Sequence, residues 1–284
     1  MTSMREVRYD KVVEAVSNLC MTANYDLGED VAEAVRRAYD IEESPTGKSI
    51  LKQILENADI SRRERIPICQ DTGFAVFFVE LGENVRVAGG TISDAIREGV
   101  KKGYTEGYLR KSIVNDPVLE RKNTGDNTPP VIHWELRGGD ALHITCAPKG
   151  GGSENMSEVK MMKPADGIEG VKDFVVDRVR RSGGNPCPPV IVGVGIGGTF
   201  ERCALLAKRA LIRKLGDHNP DPRYAETERE LLTRINNLGI GPMGLGGRTT
   251  ALAVHIETCP CHIASMPVAV NINCHAARHK SVSL

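Results

Sequence analysis

The sequence has no excess of charge of either sign, no long uninterrupted apolar run and too few cysteines for its length to form a disulfide framework. Each shortage excludes something. Lysine plus arginine number 37 and aspartate plus glutamate also 37, so no strong field draws nucleic acid or an anionic membrane. A near-neutral surface also tolerates association with another protein. With no long apolar run, neither a secretory signal nor a transmembrane helix is expected, and the charged N-terminus (MTSMREVRYDKVVEAV) reads as helix. These features predict a cytoplasmic protein with neither nucleic acid nor membrane as partner. Eight cysteines among 284 residues, in a reducing compartment, are better read as metal ligands or nucleophiles than as bridges. No repeat and no flexible linker divides the chain, so one domain over residues 1–284 is expected.

What is present reads as an α+β fold, with mixed sheets, surrounding helices and a helical N-terminal region over about residues 1–60. Val12, Val16, Leu19 and Cys20 recur at helical spacing, which puts Cys20 in the core. DVAEAVRRAYDIEE and SPTGKSILKQILENADIS predict two more helices. The TGKS string is not a phosphate loop, because the motif needs glycine at position 42, which is Glu42. Ser44-Pro45-Thr46 instead reads as a helix start. FAVFFVEL predicts a strand, and a helix follows over residues 91–107. Residues 109–130 are polar and turn-rich, the pattern of a long surface or active-site loop. VIHWELR and ALHITCAP, joined by Gly138-Gly139-Asp140, carry a hairpin signal. Further helices are expected near 167–181 and 223–237, and GIGPMGLGGRTTALAVHIE and MPVAVNIN read as the last strands or as buried loops.

Two glycine strings invite functional readings. Gly193, Gly195 and Gly198 satisfy G-x-G-x-x-G between an apolar strand and a helix, as a nicotinamide-dependent oxidoreductase would require. The fingerprint also needs a second strand ending in an acidic residue, and Asp217 ends no predicted strand. A glycine turn at a helix N-terminus remains, a place suited to an anion. The second string, Lys149-Gly150-Gly151-Gly152-Ser153-Glu154-Asn155, is either a flexible loop or a site whose backbone N–H groups and Lys149 bind a small acid.

The cysteines offer two metal readings. Cys259, Cys261, His262, Cys274, His275 and His279 crowd the C-terminal stretch. Their spacing lacks a C-x₂-C pair, which speaks against a zinc-stabilised interaction module. Cys69 in PICQDTG, Cys187 in GGNPCPPV and Cys274 in NINCHAAR each sit at a strand end or in a turn, where amides can donate to sulfur. Spacing alone leaves open that these three are unrelated. Three thiolates on a four-iron cluster would leave one iron open as a Lewis acid for a hydroxy acid. Asp71 and His262 would then be natural acid–base or orienting groups.

ICQDTG, KGGGSEN, CPPVIVGVGIGGT and HIASMPVAVNINCHAAR, in that order from Cys69 to His279, together resemble the class I, iron–sulfur-dependent fumarate hydratases and the related L-tartrate dehydratases. The chain is similar to the α subunit of their two-subunit form. The resemblance implies a [4Fe–4S] cluster on Cys69, Cys187 and Cys274, with Gln70 and Asp71 on the substrate side of the Cys69 turn. It further implies that Arg110 binds a substrate carboxylate, that Gly151 approaches the substrate with its backbone, and that His262 meets the hydroxyl. Single-chain relatives carry the catalytic base, proposed to be a threonine, on a C-terminal domain. A separate β subunit is therefore expected to supply it, in an α2β2 assembly with the site at the subunit interface. The implied reaction is the hydration of fumarate to (S)-malate, a step of the tricarboxylic acid cycle. Dehydration of L-tartrate to oxaloacetate is the alternative. Cys261 beside His262 is the extra thiol that could compete with Cys274.

Overall fold

The computed structural model describes residues 4–284; Met1–Ser3 lie outside the described residues. In chain order the first elements are β1 (Arg5–Arg8), α1 (Tyr9–Tyr25), α2 (Glu29–Ile41), α3 (Pro45–Glu64), β2 (Phe74–Gly82), β3 (Val85–Ala88) and α4 (Ile92–Glu106). There follow β4 (Val131–Arg137), β5 (Leu142–Lys149), the one-turn α5 (Gly151–Glu154), β6 (Glu158–Met162), α6 (Gly167–Ser182) and β7 (Val190–Gly198). The chain closes with α7 (Phe200–Ala210), α8 (Pro222–Asn236), β8 (Ala251–Cys261), β9 (Met266–Asn273) and β10 (Lys280–Ser283). The fold is α+β, with a mainly helical N-terminal region. Its first described residues depart from the helical reading: Arg5–Arg8 pair in parallel with Val85–Ala88, and the helix begins only at Tyr9.

The chain forms two compact units. Of the described residues, one comprises 4–27, 58–151 and 278–284; the other comprises 28–57 and 152–277. In the first, a four-stranded sheet runs in the order β10-β5-β2-β4. Val12, Val16, Leu19 and Cys20 of α1 pack with Phe77, Val79 and Ile144 in one apolar core, as helical spacing requires of a half-buried helix. The predicted hairpin does not form. β2 lies between β4 and β5, parallel to the first and antiparallel to the second. The amides that residues 139–141 meet belong to the end of β2 and the turn after it: Gly82 donates to Ala141 O (2.8 Å) and Asn84 to Gly139 O (2.9 Å). The turn signal was real, but the strongly apolar FAVFFVEL takes an inner position between the two strands it was expected to leave paired.

In the second unit the sheet order is β6-β9-β7-β8, with β7 and β8 parallel and the other pairs antiparallel. Val190, Val192 and Val194 of β7 point into a core shared with α6 and α8. Gly193 and Gly195 point the opposite way, as alternation along a strand demands. There α7 approaches so closely that a Cβ on Gly193 would stand 2.1 Å from Ala207 O, and one on Gly195 2.0 Å from Cys203 O. The G-x-G-x-x-G string is therefore the price of close helix–strand packing, and its first glycines lie inside a strand rather than in a turn. The Ser44-Pro45 helix start is present, with Ser44 Oγ accepting Gly47 N–H at 3.2 Å.

Candidate functional site

In the first unit the site is built around residues 66–73. The segment is fixed at its entry, where Ile68 N–H donates to Asn24 O (2.9 Å) and Ser61 Oγ donates to Ile66 O (2.6 Å). Cys69 is partly exposed, and its sulfur accepts Asp71 N–H at 3.4 Å. Asp71 makes the turn. Its Oδ1 accepts Gly73 N–H (3.0 Å), an Asx turn of the kind aspartate forms locally. Its Oδ2 accepts Gly151 N–H at 2.8 Å, which ties the Cys69 turn to the triple-glycine segment. Gly73 has φ +78° and a Cβ there would lie 2.7 Å from the Lys149 carbonyl carbon, so two independent constraints require glycine.

Buried polar groups hold this turn from behind. Arg278, 5% exposed, donates from Nη2 to Asp71 O (2.7 Å) and from Nε to Asn24 Oδ1 (3.1 Å). Tyr104 hydroxyl lies 3.0 Å from Thr72 O and 3.1 Å from Gly73 O. Burial raises the Tyr104 phenol well above its ordinary value, which keeps it a proton donor. Thr72 Oγ1 donates to Arg110 O at 3.0 Å. Cys69, Gln70, Asp71, Arg110, Lys149 and Gly151 thus all belong to one unit. Gln70 and Arg110 are exposed, whereas Lys149 is buried at the end of β5.

The triple-glycine segment is not a flexible loop. It enters the single turn of α5, and the Gly151 N–H donates to Asp71 Oδ2. Arg278, Asn127 and Tyr104 were not singled out from sequence. Arg278 alone left a signal, at the end of the NINCHAAR motif.

The second unit brings Cys187 and Cys274 together. Cys187 immediately precedes the Pro188-Pro189 lead into β7, and Cys274 immediately follows β9. Because β7 and β9 are antiparallel, with Ile191 opposite Asn273, the start of one and the end of the other share a sheet end. Cys187 O accepts His275 N–H (3.3 Å) and lies 3.0 Å from His275 Nδ1, which must carry the proton facing a carbonyl. Cys187 itself has φ +55°, an uncommon conformation for a residue with a side chain. Met243 N–H on Pro188 O (2.7 Å) braces the same turn.

His262 lies elsewhere. It follows β8, which runs parallel to β7, so His262, Cys259 and Cys261 occupy the opposite end of this sheet from Cys187 and Cys274. The eight residues of β9 separate the two ends by roughly 25 Å at about 3.3 Å per residue. The dense C-terminal Cys/His stretch is therefore split by a strand, and Cys261 does not compete with Cys274 within the sheet. His262 is exposed, and its Nδ1 accepts Ala264 N–H (3.1 Å), which leaves the ring proton on Nε2. Among the described residues no three His, Cys, Asp or Glu side chains gather tightly enough to hold a single metal ion. Cys20, Cys146 and Cys203 are buried, whereas Cys69, Cys187 and Cys274 are all partly exposed. No helix of the described residues is long and apolar enough to cross a membrane.

The family model described as Fumarate hydratase (Fumerase) matches residues 13–283. The chain is 45% identical over 272 residues to a putative L(+)-tartrate dehydratase subunit alpha of Methanocaldococcus jannaschii, covering 94% of this chain and 95% of that one. It is 34% identical over 278 residues to the L(+)-tartrate dehydratase subunit alpha of Escherichia coli strain UTI89, covering 97% and 91%. The Shigella sonnei protein of the same name is 33% identical over the same shares of the two chains. A match from end to end, through every segment of the two constellations above, shows that this chain belongs to the class I fumarate hydratase and tartrate dehydratase α-subunit family of hydro-lyases.

Proposed function

We propose that the chain is the α subunit of a fumarate hydratase, interconverting fumarate and (S)-malate with a β subunit in a cytoplasmic α2β2 assembly. The family model's description supports this reading, and the names of the relatives as α subunits support the partner. The observation that carries it is the Asp71 bridge. One carboxylate joins the Cys69 turn to Gly151 and gathers the proposed substrate side of the site on one unit. The proposal treats residues 13–283 as a single family domain spanning both compact units.

Cys69, Cys187 and Cys274 are the proposed ligands of a [4Fe–4S] cluster. The donor set fits: soft thiolates, all partly exposed, one with an amide already directed at its sulfur, and two drawn to one sheet end. When bound, the cluster would supply a Lewis-acidic iron to the substrate hydroxyl. The rest of the work is the chain's own. Arg110, with an exposed guanidinium, clamps a carboxylate as a two-pronged donor. Gln70 offers an exposed amide from the Cys69 turn, and buried Lys149 adds positive charge to the same unit. Gly151, lacking a side chain, lets the substrate approach the backbone. Each Asp71 oxygen accepts one backbone N–H and keeps a further lone pair, so Asp71 can orient or accept the hydroxyl proton. His262 is the second acid–base group of the proposal. A strand length from Cys274 within its own sheet, it would serve only in a site that another chain completes.

The second reading is L-tartrate dehydration to oxaloacetate by the same chemistry, supported by the names of the relatives. Assay of the chain co-expressed with its β subunit on fumarate, (S)-malate and L-tartrate separates the two. The first reading predicts a kcat/KM for fumarate at least about ten-fold above that for tartrate. The reverse ratio would replace it with the second, and no turnover of any of the three acids would sink both.

A further inference from the structure

We propose that Asn127 is a positioning residue that locks the Arg110–Ser112 segment onto the Cys69–Gly73 turn. Asn127 is completely buried and has φ +62°, a left-handed conformation that asparagine tolerates better than most residues. Its Nδ2 donates to Gly73 O at 3.2 Å, and its Oδ1 accepts Ser112 N–H at 2.7 Å. An amide N–H can only donate and a carbonyl can only accept. One orientation of one side-chain amide therefore satisfies both groups, and neither aspartate nor an apolar residue can.

The surrounding bonds tighten the same junction. Thr72 Oγ1 holds Arg110 O from the turn side at 3.0 Å. Asn123 Nδ2 holds Lys111 O, and Thr124 N–H holds Ile113 O, each at 2.9 Å. From Arg110 to Ile113, then, every residue has a backbone group tied down, and Arg110 presents an exposed side chain from a fixed base. An arginine whose backbone is anchored in this way binds a carboxylate without first ordering its loop. The lock itself is geometric; its consequence for substrate rests on the proposed role of Arg110.

The test uses Asn127→Gly, which keeps the backbone conformation and removes both bonds, and Asn127→Asp, which keeps only the acceptor for Ser112. In the complex with the β subunit, Asn127→Gly should raise KM for the acid turned over by about ten-fold while kcat changes less than about three-fold. Iron content should match wild type. Amide hydrogen exchange at Ser112 should accelerate in Asn127→Gly and stay slow in Asn127→Asp. Unchanged KM and unchanged Ser112 exchange in Asn127→Gly would overturn the proposal. So would insolubility of both variants, or a fall in kcat and iron with KM unmoved, since those mark a residue that serves folding alone. Arg110→Ala keeps the two claims apart: if it leaves KM unchanged, the substrate role of Arg110 fails while Ser112 exchange still reports on the lock.

Discussion

His255 illustrates what burial does to a single residue here. It is 2% exposed in β8, its Nδ1 donates to Ala210 O (3.1 Å), and its pKa is pushed down to about 4, first by desolvation and then by the neighbouring Arg213 cation. The folded chain keeps the ring neutral, whereas the unfolded chain protonates near the ordinary value of 6.5. Its contribution to stability is therefore complete above pH 6.5 and is lost as pH falls toward 4, about 2 kcal/mol by pH 5. Denaturant titrations at pH 7 and pH 5 should show a smaller loss in His255→Asn than in wild type. Equal losses would mean that the ring is not held neutral. Asp71 is held by geometry: its two carboxylate oxygens accept the Gly73 and Gly151 N–H groups. That part of the site was legible in sequence, because an Asx turn is made by neighbours. Its supports were not. Arg278, Tyr104 and Asn127 reach the turn from 207, 31 and 54 residues away, and no local pattern encodes such a meeting.

Among the elements, helices were the most legible, because their apolar spacing repeats within a few turns. Val12, Val16, Leu19 and Cys20 of α1 are buried as that spacing required. Strand partners were less so. The turn after β4 predicted its pairing with β5, yet β2, some fifty residues upstream, stands between them. Gly193 and Gly195 matched a nucleotide fingerprint in sequence, while their physical cause is the approach of α7 to β7. Gly195→Ala, whose Cβ would stand 2.0 Å from Cys203 O and 2.6 Å from Ala207 N, should lose about 3 kcal/mol of stability. Gly152→Ala, with its nearest neighbour 3.9 Å away at Asn185 O, should change stability by less than about 1 kcal/mol. Urea denaturation of the two variants checks this; equal losses would remove the packing explanation for the motif.

For the whole molecule, the cysteines divide by environment rather than by spacing. Cys20, Cys146 and Cys203 are core residues. Cys259 and Cys261 share a sheet end with His262, while Cys187 and Cys274 share the other, and Cys69 belongs to the first unit with Asp71. Sequence spacing left all of these groupings open, since the antiparallel pairing of β7 with β9 decides which thiols are neighbours. The proposed function depends on one grouping, Cys69 with Cys187 and Cys274. The most direct test is the iron and acid-labile sulfide content of anaerobically purified protein carrying Cys69→Ala, Cys187→Ala, Cys274→Ala or Cys261→Ala. Near-equal iron and sulfide in wild type and Cys261→Ala, lost in each of the other three, is the predicted result. Zinc in place of iron, or iron that survives without Cys274, would contradict it.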